Sequence, residues 1–466
     1  MTISLEGASA KVDAGSVSVC ISQSHPLIGL ANSLPWDTLM GLCAEDLKKT
    51  TKKGCWWTGR KIHVRIHLAA YFLQKLFNYT DRQMEYGMKD NAAFQLFCGA
   101  GIVPKWHAPD HTKIEEFRSR LSAETQRSLA NSLAQLGVRF GFGDPSETDI
   151  DSTVQEANMA YPSDATLMPK LCAGGKKLLD HMIKHAKDIL PEGLAVNMKK
   201  VKEKARSYFF LPKNTPVEKR REVFRDLLTM VKQEMKPVIE LCNSLDVATI
   251  AQMPWNVRRA YDQIKDKAWR YLLDVAHFTR NHTIKAGKIL SLHCSEVTCI
   301  KKGKVGKENE FGRVFQLGRI KGNFLFVLNS TSLRMSDKES LVPMLAEHRT
   351  LFGEDSLTSL STDKGYWSNK NLKTAAQYKI KDIGLQPPAN IKRNKTLLPI
   401  QETQDKLRDR RAGIEPLIGH VKHRGQLGKS RMKSDAATLA AGYASVLGFN
   451  IRQLIRHQGG KIKEAS

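Results

Sequence analysis

The sequence predicts a mixed α/β protein: a core of short strands and helices, preceded by an all-helical unit and interrupted by a large helical insertion. Three observations carry this. Residues 26–140 and 170–285 set apolar side chains at helical spacing. From about residue 288 the period shortens to that of strands. The strand-like runs then alternate with further helices, a pattern that argues for one mixed layer rather than separate all-α and all-β parts.

Taken in order, residues 1–24 read as a flexible leader, with no basic stretch followed by the apolar stretch of a secretion signal. Residues 25–140 read as a helical N-terminal domain. Within it, "IHVRIHLAAYFLQKLF" puts Ile62, Ile66, Ala69, Leu73, Leu76 and Phe77 on one stripe. "APDHTKIEEFRSRLSAETQRSLANSLAQLG" continues the helical style, with Asp110 as N-cap and Gly137 as stop. "GFGDPSETD" is a turn-rich break, and residues 141–456 form the second domain. Its helical insertion, at about 170–285, contains "VEKRREVFRDLLTMVKQEMKPVIELCNSL" and "NVRRAYDQIKDKAWRYLLDVAHFT". "KILSLHC", "RVFQLGRI" and "NFLFVLN" read as strands, separated by Gly- and Lys-rich turns such as "KKGKVGKENEFG". "SLVPMLAEHRTLFG" is a helix closed by glycine, and "SLTSLSTDKGYWS" is a short strand breaking at Gly365. A Pro-marked loop, "LQPPANIKRNKTLLPI", precedes two helices, and residues 457–466 are a basic tail.

Charge narrows the function classes. The chain has 73 Lys and Arg against 47 Asp and Glu, a net of +26. Residues 364–466 hold 21 Lys and Arg against 7 Asp and Glu, so +14 of that excess falls in the last fifth of the chain. Clustered cations within a patterned segment are the footprint of a nucleic-acid binder, because neutralising phosphates releases counterions. No run of eighteen apolar residues marks a membrane span. The eight cysteines include no CxxC pair, which argues against a zinc site and for reduced thiols in a cytosolic protein.

"RRAGIEPLIGHVK" (410–422) keeps one carboxylate, Glu415, among cations. Read as one helix, it aligns Arg408, Arg411, Glu415 and Lys422 on a single face. Such a face can be an exposed ion-paired surface, or it can hold a metal ion while gripping phosphates. Asp363 in "STDKGYW" is expected where a short strand ends, and Asp151 in "DIDSTV" follows a turn. Three carboxylates converging from strand ends and a helix would make the hard oxygen site that Mg²⁺ prefers. Asp149, two residues from Asp151 on the same strand face, is a rival for the first ligand. Lys364 and Trp367, flanking the second acid, join Arg408, Arg411 and Lys422 as expected DNA contacts, Trp367 by stacking on a flipped or frayed base, with core packing, the commoner fate of a strand-end Trp, as its alternative.

"RRAGIEPLIGHVK", "TDKGYW" and "DSTVQEANMAYPSD" together resemble the bacterial insertion-sequence transposases, which carry a DDE triad on an RNase H-like fold. Arg411, Glu415 and Lys422 fit that family's third motif, Arg-x3-Glu-x6-Lys; its tyrosine falls at position 408, which is Arg here. Asp363, Gly365 and Tyr366 fit the second motif, and Asp151 with Ser-Thr-Val fits the first. "SHPLIGLANSLPWDTL", "GRKIHVRIHLAAYFLQKLFNYTDRQMEYGMKDNAAFQLFCG" and "KIEEFRSRL" resemble its N-terminal region. The resemblance implies an RNase H-like mixed sheet flanked by helices, with Asp151, Asp363 and Glu415 as catalytic metal ligands. It also implies two Mg²⁺ ions (Mn²⁺ substituting), double-stranded DNA at the transposon ends and target, a homodimer in the synaptic complex, and a cytoplasmic, nucleoid-associated location. The 212 residues between Asp151 and Asp363 exceed what such a core needs, so the helical insertion belongs after the first core strand. A catalytically silent DNA-binding repressor and another RNase H-like nuclease are the alternatives.

Overall fold

The computed structural model describes residues 20–47, 63–285, 287–304, 307–330, 335–387, 398 and 400–459. The leader as far as residue 19, Ile62, most of the Pro-marked loop and the tail beyond 459 lie outside the described residues. The chain divides into two compact units: residues 1–121 with 451–466, and residues 122–450.

The described helices of the first unit are α1 (Pro26–Ser33), α2 (Trp36–Leu42), α3 (Ala44–Leu47), α4 (Val64–Phe77), α5 (Asp81–Asp90), α6 (Ala92–Phe97) and α7 (His111–Arg120). Helix α4 is central, burying Ile66, Ala69, Leu73 and Leu76 of the expected stripe together with Leu68, Tyr71 and Phe72. A helix apolar nearly all round must be enclosed by others, and Arg65 at its start lays its guanidinium 3.2 Å from the Trp36 ring centroid. Thr80 and Gln83 close a capping box at α5, and Asp110 caps α7 by accepting from the Lys113 amide at 3.0 Å.

The second unit begins with α8 (Ala123–Arg139) and strand β1 (Asp144–Glu156). The helical insertion follows β1: α9 (Asp164–His185), α10 (Met198–Phe209), α11 (Val217–Ser244), α12 (Val247–Gln252) and α13 (Trp255–Asn281). These helices enclose their own core, including Met168, Leu178, Leu227, Val231, Val257 and Val275. Strands β2 (Thr298–Lys304), β3 (Lys307–Lys321) and β4 (Phe324–Val327), helix α14 (Asp337–Phe352), β5 (Ser359–Thr362), α15 (Asn369–Gln377) and β6 (Asp382–Gly384) come next. Helices α16 (Gln401–Ala412), α17 (Ile414–His423) and α18 (Asp435–His457) follow.

The six strands form the mixed sheet that the sequence predicts, in the order β2-β3-β1-β5-β6, with β4 also on β3. β1 runs antiparallel to β3 and parallel to β5, and β5 is parallel to β6. Helices α14, α16 and α17 pack on this sheet. Two asparagines satisfy the edge strand β4. Asn131 of α8 accepts from the Val327 amide at 2.9 Å and donates to its carbonyl at 3.1 Å. Asn450 of α18 does the same for Leu325, at 3.0 and 2.7 Å. An edge covered in this way offers no template for pairing with another chain.

Four local expectations are corrected. "KILSLHC" is not a strand: its Ile289 is buried in the insertion core and donates its amide to Asp274 Oδ2 at 3.3 Å. The expected turn "KKGKVGKENEFG" instead contributes to β2 and β3, which pair antiparallel. Gly137 does not stop α8; it is buried inside the helix, where a Cβ would lie 2.7 Å from the Phe324 ring. "RRAGIEPLIGHVK" is two helices separated at Gly413, where the Arg319 side chain from β3 occupies the space that a side chain would need.

Candidate active site

β1 and β5 bring two of the acids together by register. Their parallel pairing runs from Glu147 opposite Ser359 to Ile150 opposite Thr362, so Asp151 and Asp363 are the next residues on each strand. Asp151 therefore lies inside β1 rather than at a strand end, but at the point where its partner strand stops. Beyond β5 the chain turns through a 3-10 helix at Lys364–Tyr366, with Asp363 at its N-cap position. Tyr366 fixes that turn: its buried hydroxyl hydrogen-bonds Gln316 Oε1 of β3 at 2.5 Å. Glu415 comes from the first turn of α17, which packs on β1.

The third motif closes the site from above the sheet. Arg411, at the end of α16, donates from Nη1 to Asp151 Oδ2 at 3.2 Å and from Nη2 to Glu415 Oε1 at 3.0 Å. Its Nη1 is also 3.9 Å from Asp363 Oδ1. One guanidinium thus gathers all three carboxylates, drawn from residues 212 and 52 positions apart in sequence. Asp363 and Glu415 remain more than half exposed while Asp151 is largely buried.

Burial pushes the Asp151 carboxyl up to about 6, with the Asp363 and Glu415 charges adding to the rise; the Ser152 amide at 2.8 Å and Arg411 oppose it. The ordinary value is 3.8. Between about pH 4 and 6 the folded chain holds a proton that the unfolded chain has lost, so folding weakens as pH rises through that window and then levels off. Asp151→Asn is expected to reduce this slope, leaving the part that the buried Asp149 contributes, and to stabilise the fold at neutral pH by on the order of 2 kcal/mol. Thermal melts from pH 4 to 8 read this directly, and an unchanged or lower Tm at pH 7 contradicts it.

The neighbouring Asp149 is held differently. It is buried and accepts from Arg410 Nε at 2.8 Å and from Arg319 Nη1 at 3.4 Å. Arg410 also reaches Glu147 Oε2 at 3.3 Å, Ser359 Oγ at 2.8 Å and the Ser359 carbonyl at 3.3 Å. Arg319 donates to the Arg410 carbonyl at 3.1 Å, tying β3 to the end of α16. Two adjacent arginines thus meet two acids spaced two residues apart on one strand face: Arg410 with Asp149, Arg411 with Asp151. Sequence reasoning overlooked Arg410 and Arg319. The matched pairs were the available signal for the first, and nothing local marked the second.

The other expected contacts are distributed around this centre. Arg408 is exposed on α16 and pairs with Asp405 at 2.9 Å and Asp409 at 3.1 Å. Gly413 separates its helix, α16, from α17, which carries Glu415. Lys364 is exposed in the turn after Asp363, and Trp367 follows it, partly buried. Lys422 lies in the last turn of α17.

Three carboxylates without nitrogen or sulfur donors suit a hard cation such as Mg²⁺ or Mn²⁺. Among the described residues, no group of three or more His, Cys, Asp and Glu side chains is arranged to hold an ion directly. In this arrangement the Arg411 guanidinium fills the position between the acids, so the donor chemistry fits while the spacing belongs to the guanidinium. No helix among the described residues is long and apolar enough to cross a membrane.

Residues 16–120 match the family model described as "Transposase domain (DUF772)". The match lies in the N-terminal part and covers 105 of the 466 residues, so the similarity to a transposase domain is shown for that part of the chain. No curated protein and no solved structure matches the chain.

Proposed function

We propose that the chain is a DDE transposase that binds the terminal inverted repeats of its own element, cuts the DNA at their ends and joins the freed ends to target DNA. The observation that carries this is the gathering of Asp151, Asp363 and Glu415 onto Arg411 at the edge of a mixed sheet. The transposase-domain match and the net charge of +26 support it. So does the order of the sheet, in which β1 carries the first acid and the adjacent parallel strand β5 leads directly into the second, as in an RNase H-like core.

Asp151, Asp363 and Glu415 would hold two Mg²⁺ ions, with Mn²⁺ able to substitute. Bound there, such ions lower the pKa of an attacking water or 3′-hydroxyl and stabilise the leaving oxygen of a phosphodiester. Arg408, Arg411, Lys422 and Lys364 hold the backbone phosphates of double-stranded DNA, and Trp367 stacks on a frayed terminal base. Two ends must be handled together, which calls for a homodimer in the synaptic complex. The work is done in the cytoplasm, at the nucleoid.

The test is incubation of the purified protein with a plasmid carrying the element and its flanks. Breaks at the element ends that expose 3′-hydroxyls, require Mg²⁺ and stop on chelation are expected. Specific binding of the ends with no breaks under any divalent ion would instead identify a DNA-binding repressor.

A further inference from the structure

We infer that Arg411 is a gate on metal loading: its guanidinium holds the three carboxylates in place of a divalent ion and yields that position only when a DNA phosphate draws it away. This rests on the transposase reading and adds a regulatory step to it. The contacts are 3.2 Å to Asp151, 3.0 Å to Glu415 and 3.9 Å to Asp363, so one planar cation spans all three acids. A guanidinium and a divalent ion cannot both sit among the same oxygens, because their like charges repel at such separations. The exchange must therefore be coupled.

The surroundings make the exchange feasible. Arg411 is the last arginine before the Gly413 break, so its side chain hangs from a helix end rather than from a continuous helix. Asp363 and Glu415 are more than half exposed, which leaves an open side through which a phosphate can approach. Arginine is also the side chain best shaped to trade one oxyanion for another, since its fork matches carboxylate and phosphate alike. The adjacent Arg410 is anchored by Asp149, Glu147 and Ser359, so the end of α16 stays in place while Arg411 swings. Coupling of this kind is reciprocal: DNA must tighten metal binding by the same factor by which metal tightens DNA binding. Its consequence is a chain that carries no activated site until an end is bound.

The experiment measures Mn²⁺ binding, by calorimetry or by the loss of free-ion EPR signal, with and without a short blunt DNA duplex. Four proteins are compared: wild type, Arg411→Gln, Asp363→Asn and the double variant, each checked for an unchanged circular-dichroism spectrum. Wild type is expected to bind Mn²⁺ weakly alone and at least about tenfold more tightly with the duplex. In Arg411→Gln the ion should bind tightly without DNA, and the duplex should add little. The added Asp363→Asn change should remove that binding. If wild type alone binds Mn²⁺ tightly at a site that Asp363→Asn destroys, or if Arg411→Gln keeps the full DNA effect, the gate is wrong and the metal site stands. If no binding in any protein responds to Asp363→Asn, gate and metal site fall together.

Discussion

Glu415→Gln is expected to lose end cleavage by on the order of 10³-fold or more while binding the same DNA within a few-fold of wild type. The substitution keeps the size of the side chain and one acceptor oxygen, so Arg411 retains a partner at the start of α17. What it removes is a charged donor in a set of three, and a phosphodiester cut that depends on a divalent ion cannot absorb that loss. Glu415 is 60% exposed, so the fold draws little stability from its single ion pair, and the variant should melt close to wild type. Asp363→Asn should behave in the same way. Cleavage by single-turnover assay and binding by gel shift separate the two effects. Cleavage that survives in either variant, or binding that collapses with it, removes the acid from the catalytic set.

Arg410→Ala carries the largest expected cost to stability, about 3–5 kcal/mol, because it leaves Asp149 as a buried charge with only the Arg319 contact at 3.4 Å. Arg410 joins β1, β5 and the end of α16 through Asp149, Glu147 and Ser359, so its loss also frees the helix end that carries Arg411. The companion change Asp149→Ala removes the stranded carboxylate. Arg410→Ala/Asp149→Ala should therefore recover much of what the single variant loses, a non-additivity of 1 kcal/mol or more by the usual scale of such pairs, about 0.5–3 kcal/mol. Chemical denaturation of the four proteins in the cycle reads this. Additive losses would show that Arg410 and Asp149 act independently.

Much of the fold was legible because its signals are local. Apolar spacing marks α4, α11 and α13, and Asp110 marks the start of α7, each through contacts within a few residues. The long separation of Asp151 from Asp363 marked the helical insertion, since a compact core has no use for so much chain between two neighbouring strands. The errors arise where a distant residue decides. Position 413 has room only for glycine because Arg319 arrives from β3, ninety-odd positions earlier. Gly137 is glycine because Phe324 needs the room rather than because the helix ends there, and Ile289 is buried in the insertion core instead of lying in the sheet. The three acids were singled out by their local context together with the resemblance of their motifs to insertion-sequence transposases, which alone favoured Asp151 over Asp149; the cation between them, and the adjacent Arg410 pairing with Asp149, follow from a β1–β5 register that no short stretch encodes.

The most direct measurement is anomalous diffraction from crystals of the protein soaked with Mn²⁺ in complex with a DNA duplex. The expected result is manganese density within coordination distance of Asp151, Asp363 and Glu415, with Arg411 turned away onto a phosphate. Carboxylates still clasped to Arg411, with manganese bound elsewhere or nowhere on the protein, would contradict the account.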